Sequence, residues 1–339
     1  MPVLDPAALL DDRVQAIRAY HESTGIARAE LDISGGVDSA VLVALLARAI
    51  GPENITAVYS SIHSSLASRE RARLAAEAAG VALIELELGP VFDQLRAHLE
   101  AQLEAAGYDL AAIEARVQRD PTVLGSLRSC LRAPVGRGLN RMTGGGIRHG
   151  TGNECEDRWL RFYQKGGDGE VDTNPIAMLA KGEVYQLARA LGVPRAIIDA
   201  LPTPDLHGTG DAHNDEDELR ALTGVDWSYS RIDVDTGAYT KVGTIERMSR
   251  FMDLPAAAEL LAQETPDDNA VAAMVAAARP LFPEYDDTQI AAYLRSARRC
   301  EATSRHKWNP NCPALGERGP LVARGVLTNV LPLEVGAAR

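Results

Sequence analysis

The sequence is poor in paired cysteines and in positive charge, and both shortages limit what the protein can do. Its four cysteines, Cys130, Cys155, Cys300 and Cys312, form no C-x-x-C pair and show no zinc-ligand spacing. We interpret them as reduced thiols of a cytoplasmic protein. Lysine and arginine number 35 against 47 acidic residues, which gives a net charge of −12. Binding to a nucleic-acid backbone needs a basic footprint, so we expect no nucleic-acid partner.

Long apolar runs are also missing. The chain has no run of about 18 apolar residues, the length that spans a membrane. Its first residues show no basic segment followed by an apolar one, so we predict neither a membrane span nor a signal peptide. Hydrophobic residues still make up 46% of the 339 residues, which is enough for a folded core. We therefore expect a single domain over residues 1–339.

Strand-like and helical patterns alternate in the first part of the chain. Apolar segments typical of strands occur at 31–33, 55–59 and 81–88, with helical patterns between them. This alternation predicts βαβ units, an α/β fold and a parallel sheet. Further helical patterns predict more surface helix and a helical C-terminal appendage, at residues 95–119, 181–191, 256–279 and 288–299.

Residues 207–238 are polar, with clusters of glycine, aspartate and asparagine. Such a composition is typical of a loop, and we predict a mobile lid over this range. The acidic stretch 215–219 within it has two interpretations. It either becomes ordered around a bound nucleotide or is a solvated acidic loop.

The sequence SGGVDS at residues 34–39 is the strongest functional signal. It lies between a predicted strand and an apolar helical run, and the N-terminus of a helix leaves backbone N–H groups free to bind an anion. Gly35 and Gly36 have no Cβ, so a phosphate can approach the backbone closely. Asp38 at the start of the helix would hold a Mg²⁺ ion that neutralises phosphate charge. We therefore predict a nucleotide phosphate site with a metal carboxylate.

A second cluster of polar residues follows at 150–181. Thr151 lies in a glycine turn and can bond a nucleotide, and Glu156 could complete the oxygen ligands of the metal that Asp38 begins. Lys181 begins a predicted helix, where a cation opposes the helix dipole, so a phosphate partner would explain it better than local stability does. Each feature alone is also compatible with an ordinary turn or a solvated lysine.

In their order along the chain, these segments resemble the ammonia-dependent NAD⁺ synthetases. This family is a branch of the PP-loop ATP pyrophosphatases, in the adenine nucleotide alpha hydrolase superfamily. The resemblance runs from about residue 11 to residue 313. It implies a Rossmann-like, doubly wound parallel sheet and cleavage of ATP between its α- and β-phosphates. The matching segments are SGGVDSA, GTGNECE, KGGDGEVD, NPIAMLAK, PTPDL, DEDEL and the His306-Lys307 pair.

The resemblance also implies roles for individual residues. Asp38 and Lys181 would be catalytic, and Asp38 and Glu156 would bind Mg²⁺. The residues that would bind ATP are Ser34, Gly35, Gly36, Val37, Asp38, Ser39, Thr151, Lys181 and Thr203. The residues that would bind the acceptor, deamido-NAD⁺, are Arg132, Lys165, Asp172, His306 and Lys307.

The chain departs from the family pattern mainly on the acceptor side. One family arginine falls on Cys130 unless a gap places Arg132 there. The lysine that precedes the PTPDL motif in the family is Ala200 or Asp199 here, and Trp308 follows His306-Lys307 where the family has arginine. The region predicted as a lid is also enlarged. These changes leave open whether the acceptor is deamido-NAD⁺ or another acid.

The implied reaction is adenylation of a carboxylate with release of pyrophosphate, followed by attack of ammonia and release of AMP. On deamido-NAD⁺ it would yield NAD⁺. The family is homodimeric, and we expect ammonia to arrive free or from a separate protein. Two alternatives remain: the same chemistry on a different carboxylic acid, and a nucleotide-binding paralogue without turnover. A tRNA-thiolating PP-loop enzyme is disfavoured by the acidic charge.

Overall fold

The computed structural model describes residues 1–120, 122–203, 214–262, 267–308 and 312–336. The strands are β1 Ala29–Asp32, β2 Ile55–Ser61, β3 Leu83–Glu87, β4 Ile147–Arg148, β5 Arg231–Ile232 and β6 Tyr239–Lys241. The helices are α1 Pro6–Thr24, α2 Val37–Ile50, α3 Leu66–Ala79, α4 Gly89–Ala105, α5 Leu110–Arg119, α6 Thr122–Met142, α7 Glu154–Asp157, α8 Lys181–Leu191, α9 Arg195–Ile198, α10 Asp215–Thr223, α11 Thr244–Phe251, α12 Pro255–Ala262, α13 Asp268–Ala278, α14 Asp287–Ser304 and α15 Arg318–Ala323. Among them, no helix is both long and apolar enough to span a bilayer.

Four parallel strands form the central sheet, in the order β3-β2-β1-β4. The α/β fold with a parallel sheet is therefore confirmed. The chain moves outward from β1 through β2 to β3 and then returns to place β4 on the other side of β1. This reversal creates a topological switch point between β1 and β4, where the connections that follow the two neighbouring strands run in opposite directions. Open α/β sheets bind their ligands in the crevice at such a point.

Helices cover both faces of the sheet, as a doubly wound fold requires. Helix α2 packs against α1, α3 and α8 on one face, and α6 contacts β1 and β2 on the other. The apolar residues of α2 are almost all buried because neighbouring helices surround it. The helical run predicted at 40–48 is thus confirmed as the central helix of the fold.

Helix α6 was not expected from the sequence, because Pro134 and three glycines interrupt its pattern. The structure explains one of the glycines. A Cβ on Gly136 would lie only 2.1 Å from Nη1 of Arg148, so the missing side chain lets α6 pack closely over β4. Tertiary packing here outweighs the local helix propensity of the sequence.

The C-terminal half forms a second core of its own, which confirms the predicted helical appendage. Trp159, Trp227, Phe251, Phe282 and Tyr293 pack together in it with apolar residues of α11 to α14. The last described segment returns to the first core, where Leu321 and Leu327 are buried. Residue Leu327 also pairs with Val3 at the start of the chain.

The lid predicted at 207–238 lies partly outside the described residues, which omit 204–213. The polar composition indicated a loop over the described part, 214–238, but the structure has a helix and buried apolar side chains there. Helix α10 occupies residues 215–223, and Leu219, Trp227 and Tyr229 are fully buried in the second core. The buried aromatic side chains hold this segment against the second core. Closure of the range as a lid stays a prediction.

Two histidines form a buried pair next to β4. The rings of His21 and His149 stack with centroids 5.2 Å apart, and their Nε2 atoms lie 3.0 Å apart. Burial, together with the charge of His21, lowers the pKa of His149 to about 3. An unfolded histidine takes up its proton near pH 6.5, so the folded state loses stability as the pH falls from neutral toward 3.

The His149→Gln variant should remove this acid sensitivity. Between pH 8 and pH 5 the wild-type histidine should cost about 2 kcal/mol of unfolding free energy, since only the unfolded state binds the proton. Urea denaturation at both pH values measures the difference. Glu30 acts in the opposite direction, because burial raises its pKa to about 7, but its contribution cancels between wild type and variant.

The exposed His98 on α4 provides the control for this measurement. His98→Gln should leave the pH dependence of stability unchanged. An equal effect of the two variants would contradict the burial argument.

Candidate active site

A cavity of about 560 Å³ opens at the switch point of the sheet. The glycine loop after β1, the ends of β2 and the loop after β4 form its floor, while α6 and the segments around 162–168 and 197–203 form its walls. Its size falls in the range of about 300–1,000 Å³ that is usual for small-molecule sites. Among the residues predicted to bind ATP, those that line it are Ser34, Gly35, Gly36, Val37, Asp38, Thr151, Lys181 and Thr203. Ser39 is buried directly behind the loop.

The glycine loop depends on Gly35 for its conformation. Gly35 has a φ of +86°, and a Cβ there would lie 2.3 Å from the carbonyl oxygen of Ser68. Hydrogen bonds fix the loop on both sides: Ser39 Oγ donates to the carbonyl of Gly36 at 3.0 Å, and Arg71 Nε donates to the carbonyl of Gly35 at 3.2 Å. Gly36 is the N-cap of α2 and has no side-chain cap. The first N–H groups of α2 therefore face the cavity without an internal acceptor.

Lys181 joins the two predicted metal carboxylates. Its Nζ lies 2.6 Å from Asp38 Oδ2 and 2.9 Å from Glu156 Oε1, and its side chain is 3% exposed. Asn153 Nδ2 donates to the other oxygen of Asp38 at 3.0 Å, and the ring of Tyr229 lies 5.2 Å from the ammonium. The structure thus brings Asp38 together with Glu156 and Lys181, which lie more than a hundred positions after it in the sequence.

The charges around Lys181 determine its protonation. Burial alone would lower its pKa, but the carboxylates of Asp38 and Glu156 outweigh this effect and raise the pKa well above its ordinary value. The lysine therefore stays a cation, suited to a phosphate and unsuited to act as a base. Asp215 at the start of α10 also lines the cavity, and burial raises its pKa to about 7.

Asp38 is mostly buried at the start of α2. The residue lies in the first turn of α2, its side chain is 14% exposed, and it shares the buried ammonium of Lys181. Replacing it would leave that cation with one carboxylate, so we expect substitutions at Asp38 to lower the stability of the fold.

The donor set of this site fits magnesium. Asp38 and Glu156 direct carboxylate oxygens to one point, now held by the Lys181 ammonium. In the described part of the chain, no group of three or more histidine, cysteine or acidic side chains could hold a metal by itself. Magnesium usually binds through one or two carboxylates, with water and substrate phosphates as its other ligands.

Only some of the residues predicted to bind the acceptor line the cavity. Arg132 and Lys307 line the cavity. Lys165, Asp172 and His306 are not among its lining residues. Lys165 Nζ donates to the backbone carbonyl of His306 at 3.1 Å on the surface, and Asp172 accepts from the backbone N–H of Arg148 at 2.8 Å. Their role in acceptor binding stays a prediction.

Residues outside the predicted set also form the cavity. Asp168 lines it in the segment where the sequence indicated Asp172, and its carboxylate accepts from Ser129 Oγ at 2.7 Å. Arg71 and Tyr163 line it as well. The sequence shows Asp168 in a Gly-Asp-Gly turn, which by itself indicates only a turn. The structure shows that Asp168 contacts Ser129 of α6 and lines the cavity. Arg71 carries no local signal, because it lies within an ordinary amphipathic helix.

The residues that depart from the family pattern differ in whether they reach the cavity. Arg132 is the arginine of 126–132 that lines the cavity, and its Nε donates to the carbonyl of Ser60 at 3.0 Å. Cys130 is not among the lining residues, and its Sγ lies 4.0 Å from the carbonyl of Lys165. Ala200 lines the cavity, whereas Trp308 is 64% exposed.

Comparison with known proteins gives a consistent result. The model of the NAD synthase family matches residues 9–235. The NH₃-dependent NAD⁺ synthetase of Alkaliphilus oremlandii is 32% identical over 210 residues, which are 62% of this chain and 79% of that protein. The enzyme of the same name from Methanococcoides burtonii is 32% identical over 199 residues, covering 58% of this chain and 68% of that protein.

Solved structures extend the comparison beyond the region of sequence similarity. The structure of NMN synthetase from Francisella tularensis aligns with a TM-score of 0.62 at 18% identity, covering 91% of this chain and 99% of that one. At this identity the likeness establishes the fold. The C-terminal helices are therefore part of a known architecture.

The Gly35→Ala variant should disrupt the glycine loop. A side chain at positive φ costs about 1–3 kcal/mol, and here the added Cβ also overlaps a backbone oxygen. Guanidinium denaturation should show a loss of this size. Gly36→Ala is the matched control, because Gly36 has an ordinary φ of −87° and its Cβ would meet only the Ser34 hydroxyl, at 3.3 Å. Equal losses in the two variants would contradict the conformational argument.

Proposed function

Because this chain belongs to the NAD synthase family, we propose that it is an ATP-dependent amide ligase that converts deamido-NAD⁺ and ammonia into NAD⁺, AMP and pyrophosphate. One arrangement supports the proposal above all. A glycine loop that can bind phosphates faces the buried Lys181, Asp38 and Glu156 at the switch point of the sheet. Two cationic side chains, Arg132 and Lys307, line the same cavity where an acceptor would lie.

In the first step, a carboxylate oxygen of the acceptor attacks the α-phosphorus of ATP. The bond from the α-phosphorus to the oxygen that bridges to the β-phosphate breaks, and pyrophosphate leaves with that electron pair. The backbone N–H groups at the start of α2 and the ammonium of Lys181 would stabilise the charge that moves onto the pyrophosphate. A permanently protonated lysine fits this role.

Asp38 and Glu156 would hold Mg²⁺, which would neutralise phosphate charge when bound. Asn153 would orient Asp38 through its amide N–H. Binding of the metal by both carboxylates would require Lys181 to exchange at least one of its present contacts for a phosphate oxygen. Lys181 is almost fully buried, whereas the carboxylates of Asp38 and Glu156 are partly exposed to the cavity, where a metal could reach them.

In the second step, ammonia attacks the carbonyl carbon of the acyl-adenylate. The bond from that carbon to the AMP oxygen breaks, AMP leaves, and the nitrogen loses a proton to give the neutral amide. No nucleophilic side chain is needed. Cys155 is unsuited to be one, because burial raises the pKa of its thiol well above the ordinary value. Catalysis would depend on positioning and on charge stabilisation.

The assembly of the active protein is part of the proposal. We propose a homodimer, supported by the exposed apolar side chains of Val91, Leu99 and Tyr108 in and beside α4. Ammonia would arrive free or from a separate protein, and the enzyme would act in the cytoplasm without nucleic-acid or membrane partners.

The lining of the cavity supports the identity of the acceptor acid less well than it supports the binding of ATP. Three residues predicted to bind it, Lys165, Asp172 and His306, are not among the lining residues of the cavity. The fold is also shared with an NMN synthetase. Nicotinic acid mononucleotide, the acid whose amide is NMN, is therefore the appropriate second substrate to compare with deamido-NAD⁺.

The decisive experiment measures all products together. With ATP, Mg²⁺, ammonium and deamido-NAD⁺, the protein should form NAD⁺, AMP and pyrophosphate in equal amounts, and Lys181→Met should lower kcat by about a hundredfold or more. Nicotinic acid mononucleotide should be a poorer substrate by kcat/KM. Release of ADP and phosphate would exclude the proposed chemistry, and a preference for the mononucleotide would change the acceptor.

Lys307 should act on the acceptor side of the cavity. Burial lowers the pKa of Lys307, and its Nζ donates to the carbonyl of Tyr163 at 2.7 Å. Lys307→Ala should raise the KM for deamido-NAD⁺ by about tenfold, the effect of one lost charge-assisted contact, with the KM for ATP much less affected. The half-exposed Lys241 is the matched control, and Lys241→Ala should change neither value. Equal loss for both substrates would mean that Lys307 acts through folding.

A further inference from the structure

Behind the active site lies a group of buried charges that the proposed chemistry does not use. We call it the rear cluster and define it as Glu154, Glu183, Arg250 and Arg318. The side chains of Glu183 and Glu154 are 0% and 6% exposed, and those of Arg250 and Arg318 are 3% and 11% exposed. Arg250 forms an ion pair with Glu154, and Arg318 forms one with Glu183.

Each acid of the rear cluster is two residues away from a group of the active site. Glu154 precedes Glu156 in α7, and Glu183 follows Lys181 in α8. Side chains two positions apart on a helix point to nearly opposite sides. Glu156 and Lys181 therefore face the cavity, while Glu154 and Glu183 point back into the protein.

Arg318 contacts both acids. Its guanidinium donates two parallel hydrogen bonds to Glu183, at 2.7 and 2.6 Å, and its Nη1 lies 3.7 Å from Glu154. A bidentate pair fixes the orientation of both groups, which a lysine ammonium cannot do. Arg318 also donates to the backbone carbonyl of Thr328 at 3.0 Å. This contact ties the pair to the last segment of the chain.

Glu183 transmits this restraint to the start of α8. Its carboxylate also accepts from the backbone N–H of Ala180 at 2.9 Å, which holds the residue directly before Lys181. Between the two helices, the N–H of Glu154 donates to the carbonyl of Leu179 at 2.8 Å, and the N–H of Lys181 donates to Cys155 Sγ at 3.4 Å. The N-termini of α7 and α8 are therefore joined both by backbone contacts and by Arg318.

We propose that Arg318 is a positioning residue that holds Lys181 and Glu156 in register for catalysis. The proposal rests on the function given above, since it assumes that these two residues act on ATP. Arg318 lies outside residues 9–235, the part matched by the family model. The segment 312–336 would thus be required for turnover, although none of its side chains lines the cavity.

Stability alone does not account for this arrangement. Buried ion pairs are often no more stable than apolar side chains of similar volume, whereas removing one partner leaves an uncompensated charge. A structural role and a positioning role therefore differ when both charges are removed together. The paired variant Arg318→Met with Glu183→Gln does this, and the amide oxygen of the glutamine can still accept from the N–H of Ala180.

The experiment compares this paired variant, Arg318→Lys and Arg324→Met in the full chain. Arg324 is the matched control, because it lies just after α15 and is 56% exposed. Each variant is assayed with ATP, Mg²⁺, ammonium and deamido-NAD⁺ below its own melting temperature. We expect kcat to fall by about tenfold or more in the paired variant, with less than about threefold change in the KM for ATP, and to fall less in Arg318→Lys. Arg324→Met should match wild type.

A folded paired variant with kcat within about threefold of wild type would overturn the proposal. If the paired variant does not fold, Arg318→Lys decides: a wild-type kcat overturns the proposal, and a kcat lowered by about fivefold at unchanged melting temperature supports it. Lys181→Met distinguishes failure of the proposed function from failure of the positioning role. Full activity of Lys181→Met would mean that the proposed function of the site has failed. Its inactivity, together with wild-type rates in the Arg318 variants, would reject the positioning role alone.

Discussion

The buried ammonium of Lys181 between two carboxylates is the interaction on which the site depends. An isolated charge in this position would be strongly unfavourable, and the carboxylates of Asp38 and Glu156 compensate the ammonium of Lys181. Because they begin α8, α2 and α7, their contact requires the N-termini of three helices to meet. At the same point the start of α2 has no side-chain cap, so its first backbone N–H groups are available to a ligand. The place where these charges are buried is therefore also suited to phosphate.

The sheet determines where this meeting occurs. Strand order β3-β2-β1-β4 leaves the crevice between β1 and β4 uncovered at the carboxyl ends, and α2 starts there after the glycine loop. Gly35 makes the turn possible through its positive φ and its close approach to Ser68. On the far side, ion pairs of Arg250 and Arg318 connect the helix starts to the C-terminal part. The site is therefore supported by parts of the chain that belong to both hydrophobic cores.

Much of the fold was predictable because its signals are local. Strand and helix patterns between residues 31 and 88 depend on hydrophobic periodicity within a few residues, and the parallel sheet follows from their alternation. Helix α6 was missed because Pro134 and its glycines are unfavourable locally, whereas packing over Arg148 makes Gly136 necessary. The segment 214–238 was predicted to be a loop because its residues are mostly polar. The sequence around it does not show that Trp227 and Tyr229 are buried, because the helices that cover them follow later in the chain.

The sequence by itself determined the glycine loop and the residue types of the candidate site, since glycine, hydroxyl and carboxylate groups at these spacings have a chemistry that does not depend on the rest of the chain. It also indicated Lys181, whose position at a helix start has no local benefit. Only the tertiary structure decided which of these groups meet. It placed Asp168 at the cavity, left Asp172 bonded to the backbone of Arg148, and brought Arg318 to Glu183. These arrangements depend on contacts between residues that are far apart in the sequence, so no local sequence pattern predicts them.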